Sequence, residues 1–207
     1  MTDQIKAIQD DIAFLKSLVD EGGGTARTGG RIIATAGVVY GVAAIVHWLV
    51  QTGRIVPSGP IGEWAFPIIW SGASIVFFAI LFTLKSRSDA PRASGARASG
   101  VAWTGVGWTI FAMAASMAIV CWRAHSAVPT LLFPSLILGL YGLGWMVAAA
   151  VARKSWIWLT AIGSYLMALV LAWFSVTDSM MLIYAAALAL LAVAPGVVMM
   201  RQSDRPA

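Results

Sequence analysis

Charged residues are scarce in this sequence. Asp, Glu, Lys and Arg make up only 11% of its 207 residues, whereas a soluble domain carries roughly 25%. Hydrophobic residues make up 59%, and apolar stretches of about 20 residues, the length that crosses a bilayer as a helix, recur along the chain. The low charge and the long apolar stretches exclude a soluble globular fold and indicate a membrane protein.

The chain also lacks the residues that common redox and catalytic sites need. Its single cysteine, Cys121, cannot form a disulfide within the chain and belongs to no CxxC motif. None of its lysines follows a glycine, which excludes the phosphate-binding P-loop. We therefore predict that the protein is not an enzyme and has no cofactor.

Six apolar runs predict the fold class, an all-α polytopic membrane protein with six transmembrane helices. Each run is apolar on all sides, whereas a transmembrane strand alternates apolar and polar side chains. The predicted transmembrane domain covers residues 31–200, and its spans are 31–52, 64–84, 100–122, 129–152, 155–176 and 179–200. Residues 201–207 form a predicted cytosolic tail.

The spans carry a weak signature of internal repetition. Ala-Arg pairs at 26–27, 96–97 and 152–153 are each followed, ten residues after the arginine, by Gly37, Gly107 and Gly163. This spacing suggests three repeated helical hairpins, with coincidence as the alternative. The layout resembles that of the six-span acid-resistance proteins of the HdeD type. The sequence carries no motif specific to them, so the resemblance implies no function.

The basic residues predict the orientation, because cytoplasmic loops carry an excess of Lys and Arg. Arg54 and Arg123 fall on one side, and the other 12 fall on the opposite side: Lys6, Lys16, Arg27, Arg31, Lys85, Arg87, Arg92, Arg97, Arg153, Lys154, Arg201 and Arg205. We therefore expect both termini in the cytoplasm and the protein in the inner (plasma) membrane. Because these charges flank apolar runs and form no basic face, we predict no nucleic-acid partner.

The residues before the first span predict a separate cytosolic helix over residues 1–21. Its apolar residues recur at spacings of three and four, which places them on one face of an amphipathic helix: Ile5, Ile8, Ile12, Leu15 and Val19. Gly22, Gly23 and Gly24 are expected to end it, and residues 22–30 to form a glycine-rich joint. The net charge of residues 1–21 is −3, from two lysines and five acidic residues, so an anionic membrane surface would repel this segment.

Within the spans, small residues indicate where helices pack, and tyrosines provide polar groups. Small residues spaced by four predict close helix packing at Gly37, Gly41, Gly144, Ala148 and Ala152. Tyr40, Tyr141 and Tyr165 lie near the middle of their spans. Their hydroxyls could line a polar path or bond to neighbouring helices. Acidic and basic residues are absent away from the span ends, which argues against proton-coupled transport and voltage sensing.

A set of potential metal ligands maps to the non-cytoplasmic half of the protein: His47, Glu63, Cys121, His125 and Asp178. Two histidines at one depth could hold a transition metal or haem. The residues show no HExxH or clustered ligand spacing, and polar side chains are common near a membrane interface for ordinary reasons. We predict no metal, and keep these five only as the candidates if one is bound.

Three hypotheses of function remain. The first is a non-enzymatic adaptor or regulatory subunit whose N-terminal helix docks a protein surface, either a partner or the chain's own basic segment 85–97. The second is a facilitator for a small uncharged or lipophilic solute. The third is a haem or metal membrane protein that uses His47 and His125. We predict the lipid bilayer as a partner, and an oligomer is compatible with the sequence.

The orientation is testable with reporter fusions. A reporter that is active only in the periplasm should be inactive when joined after Ala207 and active when joined after Gly59. The reason is the unequal number of basic residues on the two sides. Periplasmic activity after Ala207 together with none after Gly59 would overturn the predicted orientation.

Overall fold

The computed structural model of the protein is a bundle of helices. It describes the backbone of residues 2–85 and 94–203, and the side chains of residues 27–59, 61–84 and 98–202. The α-helices in chain order are α1 (Thr2–Gln51), α2 (Pro60–Glu63), α3 (Ala65–Lys85), α4 (Ser94–Ala124), α5 (Phe133–Ala152), α6 (Ser155–Trp173), α7 (Met180–Leu188) and α8 (Ala194–Ser203). A 3-10 turn, Val128–Leu132, precedes α5, and a π-helical turn, Ala189–Val193, joins α7 to α8.

Six helical segments are long and apolar enough to cross a membrane. They are Arg27–Gln51, Ala65–Leu84, Ala98–Ala124, Val128–Ala152, Ser155–Trp173 and Met180–Gln202. Their ends differ from the predicted ends by at most four residues. For the residues that the structure describes, the prediction of an all-α chain with six helices long and apolar enough to cross a membrane is therefore confirmed. The last segment consists of α7, the π-helical turn and α8, and is called the sixth span below.

The predicted break after residue 21 is wrong, because α1 is helical without interruption from Thr2 to Gln51. A glycine inside a helix costs about 1 kcal/mol relative to alanine. Once a helix is nucleated, however, each further residue adds a backbone hydrogen bond, and the first span supplies the nucleus. Residues 2–26 thus continue the helix of the first span toward the N-terminus. The backbone of residues 22–30 is helical and does not form a joint.

The helices form two groups. The first, half-bundle A, consists of α1, α3 and the sixth span, and α1 packs against all of the others. The second, half-bundle B, consists of α4, α5 and α6, and α5 packs against both neighbours. Contacts between the two groups are sparse and involve α6 with α7 and with the π-helical turn, and α1 with α4. The fifth and sixth spans fall in different half-bundles, so the arrangement does not follow three equal hairpins.

Turn chemistry explains why α5 and α6 make the most extensive contact in the bundle. Only Arg153 and Lys154 separate the two helices. Arg153 adopts a left-handed conformation with φ of 53°, and its N–H donates to the Ala149 carbonyl, which ends α5 as an αL cap. So short a connection forces the two helices to run antiparallel side by side.

Burial differs between the spans. In the most apolar window of α3 and of α4, only 6% of residues are buried, against 39% in the first span. Both helices have many exposed large apolar side chains, among them Phe82 and Trp108. In a bilayer this surface faces lipid, so α3 and α4 flank the bundle and do not contribute much to its core.

Glycines bring α1 and the sixth span close together. A Cβ on Gly30 would lie 2.6 Å from the Gly196 carbonyl oxygen, and one on Gly196 would lie 2.6 Å from the Gly30 oxygen. A Cβ on Gly37 would lie 2.7 Å from a methyl group of Val193. Real Cβ atoms do not approach so closely, so these positions require glycine. Close backbone packing of this kind holds helices together in lipid.

Replacing Gly30 by alanine should therefore destabilise the protein. The added methyl group meets backbone, which cannot rotate away, and we expect a loss of about 1–3 kcal/mol in the free energy of unfolding. Gly105→Ala is the matched control, because a Cβ there meets nothing within 4 Å, and helix propensity should make it neutral or slightly stabilising. Unfolding of the purified protein in detergent micelles measures both. Equal stability of the two variants would contradict the proposed glycine contact.

Candidate functional site

The candidate site lies where the two half-bundles face each other. Two clusters of buried side chains cross this interface. The first joins Ile33 and Ala192 of half-bundle A to Tyr141, Trp145 and others of half-bundle B, and the second joins Tyr184 and Leu188 to Leu138 and Leu171. Backbone contacts across the interface are few. Large side chains, and aromatic ones in particular, therefore fill the space between the half-bundles.

One hydrogen bond across this interface follows from a proline. Pro195 has no N–H to donate to the carbonyl of Leu191, four residues earlier. The indole Nε1 of Trp145, in α5, donates to that carbonyl oxygen at 2.9 Å. Trp145 itself is fully buried, and Leu191 lies in the π-helical turn. The π-helical turn thus lies just before Pro195, where a kink is favoured. The Leu191 carbonyl in that turn accepts its hydrogen bond from the other half-bundle.

Three tyrosines from three helices form a cluster at the interface. Tyr40 belongs to α1, Tyr141 to α5 and Tyr184 to α7. Tyr141 belongs to the first cluster of buried side chains, and Tyr184, in the second, has Tyr40 packed against that cluster. The Tyr40 hydroxyl donates to Ser74 Oγ of α3 at 3.4 Å. Tyr141 and Tyr184 are 8% and 2% exposed, and their hydroxyls bond to no group among the described residues. We call Tyr40, Tyr141 and Tyr184 the phenol cluster.

Sequence reasoning identified two members of this cluster and missed the third. Tyr165 is 38% exposed, and its ring lies against Gly142, where a Cβ would be 2.8 Å from the ring. Tyr184 was missed because it lies only four residues inside the sixth span, where a tyrosine is expected as an interfacial anchor. The available signal was its position on the helix: Tyr184, Ala187 and Leu188 are spaced by three and four and are all buried.

Rings and hydrogen bonds also attach α3 to α1. Trp70 Nε1 donates to His47 Nδ1 at 3.0 Å, and the His47 ring stacks on Phe66 with centroids 4.2 Å apart. An indole nitrogen can only donate, so Nδ1 of His47 carries no proton in this contact. Tyr40 packs on Phe77 with ring centroids 5.6 Å apart. These contacts attach to α1 a helix that is otherwise largely exposed.

The small residues predicted to pack helices together differ in how closely a neighbouring helix approaches them. Gly37 meets the sixth span closely, whereas a Cβ on Gly41 would only touch the Ala185 oxygen at 4.0 Å. Gly144 makes room for Trp103, whose ring atoms would lie 3.1 Å from a Cβ. Ala148 is buried and Ala152 is exposed. Gly30, Gly142 and Gly196, which sequence reasoning did not select as packing positions, make contacts as close as that of Gly37.

The metal-ligand candidates are not gathered into one set. Within the described part of the chain, no three residues among His, Cys, Asp and Glu lie together as a metal would require. His125, Glu63 and Asp178 are exposed and Cys121 is partly buried. His47 has one ring nitrogen engaged by Trp70, which leaves only Nε2 as a possible ligand atom.

The apolar stripe of the N-terminal segment lies outside the described side chains. For Ile5, Ile8, Ile12, Leu15 and Val19 the structure gives only the helical backbone of α1. The basic segment 85–97, named above as one surface to which that stripe could dock, likewise lies outside the described side chains.

The bond from Trp145 to the Leu191 carbonyl is testable. Trp145→Phe keeps an aromatic ring in the core but removes the donor, which leaves a buried carbonyl without this partner and should cost about 1–3 kcal/mol of unfolding free energy. Trp158→Phe is the control, because Trp158 is 42% exposed and should change stability by less than about 0.5 kcal/mol. If Trp145→Phe is as stable as the control, the bond does not contribute to holding the half-bundles together.

Comparison of this chain with protein-family models, with curated proteins and with solved structures found no match. The function proposed below therefore rests on the residues and geometry described above.

Proposed function

We propose that this protein is a non-enzymatic adaptor or regulatory subunit of the membrane, and that residues 2–26 form an arm that docks a protein surface. The observation that carries the proposal is the unbroken helix α1. It begins at Thr2, while the membrane-spanning segment begins at Arg27. At 1.5 Å per residue, the arm continues the helix for about 37 Å beyond the span.

The apolar positions of the arm share a face with the packing face of the first span. Positions 18 residues apart on an α-helix point in the same direction, because 18 residues make five turns of about 3.6 residues. Ile12 is 18 residues before Gly30, Leu15 is 18 before Ile33, and Val19 is 18 before Gly37. Gly30 and Gly37 are the positions that meet the sixth span. The stripe therefore continues a face that already packs against protein.

That face extends beyond the helix it packs on. Gly30 lies at the level of Met199 and Met200, and α8 ends at Ser203, about one turn further on. The stripe residue nearest to Gly30 is Val19, which lies more than two turns before it along α1. The last described turn of α8 thus falls short of the stripe, which supports docking of the stripe on another protein surface.

Charge favours a basic partner over lipid. Residues 1–21 carry a net charge of −3, and anionic headgroups repel such a segment. An apolar groove or helix face bordered by Lys and Arg satisfies both the stripe and the charge, and helix-in-groove docking uses the same spacing of three and four. We therefore propose a protein partner with a basic rim.

Hydrogen exchange of the full-length protein tests the arm. Residues 4–19 should exchange slowly in native membranes and at least tenfold faster in the double variant Ile8→Asp, Ile12→Asp, because the two new charges would have to be buried. The control is Ala13→Asp, Ser17→Asp, which adds the same charge at the same spacing on a different face of the helix. It should keep the slow exchange of the wild type.

A second measurement distinguishes the partner from the chain itself. Slow exchange that is lost when the protein is purified into nanodiscs indicates a separate partner protein. Slow exchange that persists there indicates docking within the chain or between copies, and overturns the adaptor proposal. Fast exchange of the wild type in both settings also overturns it, since the stripe then docks nowhere.

A further inference from the structure

The contact between His47 and Trp70 requires a neutral imidazole. Trp70 Nε1 donates to His47 Nδ1 at 3.0 Å, and an indole nitrogen cannot accept a hydrogen bond. Nδ1 is therefore the unprotonated nitrogen of the ring, and Nε2 carries the proton. A doubly protonated imidazole has two N–H donors and no acceptor, so no orientation of a charged His47 ring can accept from Trp70.

This contact is one of the few that attach α3 to the bundle. α3 packs on α1, and its other helix contacts within the described residues are with the short α2 or are marginal. Most of α3 is exposed. It is joined to α1 by the His47–Trp70 hydrogen bond, by the stacking of Phe66 on His47, and by the contacts of Tyr40 described above. The position of α3 at the level of Trp70 therefore depends on the state of His47.

His47 lies where a proton from water can reach it. It is four residues before Gln51, the last residue of α1. Its neighbour Trp48 has the Arg54 guanidinium over its ring, 4.4 Å from the centroid, so a charged group is present at this end of the span. His47 Nε2 has no partner and is not among the fully enclosed polar atoms of the described residues. Nε2 thus keeps accessible surface close to the end of the span.

No neighbouring charge fixes the protonation of His47. Among the described residues its hydrogen-bond and ring contacts are with Trp70 and Phe66, and no group of potential metal ligands includes it. Residues 65–84 of α3 contain no ionisable side chain. The described ionisable groups on α1, on the other elements packed against it and in the loops at this end are Arg27, Arg31, Tyr40, Tyr184, Arg201, Cys121, Arg123, Arg54, Glu63, His125 and Asp178. None of them contacts His47.

We propose that the His47–Trp70 contact is a pH-sensitive attachment of α3, which acidification opens. The added proton occupies Nδ1, the atom that accepts from Trp70, so the hydrogen bond breaks and α3 moves away from α1 at that level. Histidine is the side chain that ordinarily gains a proton between pH 8 and 5. Phe66 can stack on a neutral or a charged imidazole, so it keeps the first turn of α3 in place. None of these residues belongs to residues 2–26, so this response is separate from the N-terminal arm.

NMR of the ¹⁵N-labelled full-length protein in nanodiscs detects the hydrogen bond without any variant. The Trp70 Nε1 and His47 Nδ1 nuclei should show a coupling across the bond at pH 7.5, because the N–H of one donates directly to the other. The coupling should be lost at pH 5.0. A coupling that persists at pH 5.0 overturns the proposal.

Spin labels measure the movement of α3. The labels replace Ile68 of α3 and Leu190 of the sixth span, which are both exposed, in a Cys121→Ser background. A longer distance between the labels should be populated about tenfold more at pH 5.0 than at pH 7.5, the factor that one hydrogen bond represents. A distance distribution that is the same at both pH values overturns the proposal.

Three variants assign the response to His47. His47→Gln keeps an acceptor oxygen that does not titrate, and should show the shorter distance at both pH values. His47→Phe has no acceptor and should show the longer distance at both. His125→Gln removes the only other histidine of the chain and should respond as the wild type does. The proposal fails if His47→Gln responds to pH like the wild type, or if His125→Gln abolishes the response.

Discussion

The hydrogen bond from Trp145 to the Leu191 carbonyl is the interaction on which the arrangement of the bundle depends. A membrane interior contains no water to satisfy a carbonyl that its own helix leaves without a donor. Pro195 withholds the usual donor from Leu191, and an indole from the other half-bundle supplies one at 2.9 Å. The bond places Trp145 directly against the sixth span, and Tyr141, one turn away, belongs to the same buried cluster as Ala192 of that span. A second bond, from Lys154 Nζ to Gln202 Oε1 at 2.7 Å, joins the half-bundles at their basic end.

The two sides of the sixth span are packed by opposite means. Toward α1, glycines allow backbone to meet backbone, as at Gly30 and Gly196. Toward α5, Trp145 and Tyr141 keep the backbones apart. Small residues give the closest and most extensive van der Waals contact in lipid. The contact of the sixth span with α1 is therefore expected to be more rigid than its contact with α5. The interface with half-bundle B depends on large side chains with polar tips, which is where hydroxyls without protein partners can occur.

Much of this architecture was predictable from the sequence, because hydrocarbon imposes a length and a composition on each span. The ends of the spans agree to within four residues. The break at Gly22–Gly24 was wrong because local propensity underestimated a helix anchored by the adjacent span. That the Leu191 carbonyl lacks the usual backbone donor four residues later could have been inferred from Pro195 alone. Its donor could not, because Trp145 lies 46 residues away and no local pattern links the two. Tyr184 belongs to the phenol cluster for the same reason, through tertiary packing.

Helix α1 connects the proposed arm to the bundle without interruption. It carries the arm at one end and Tyr40 near the middle of its span, and the backbone between them is helical without interruption. From Ile12 to Tyr40 the separation along the axis is about 42 Å. A glycine joint would have allowed the arm to move without affecting the bundle, whereas a continuous helix transmits a shift or rotation of the arm to the residues that follow. Tyr40 contacts Ser74 of α3 and packs against the second cluster of buried side chains. The proposed docking of the arm would therefore act on the same continuous helix that carries Tyr40 into the bundle.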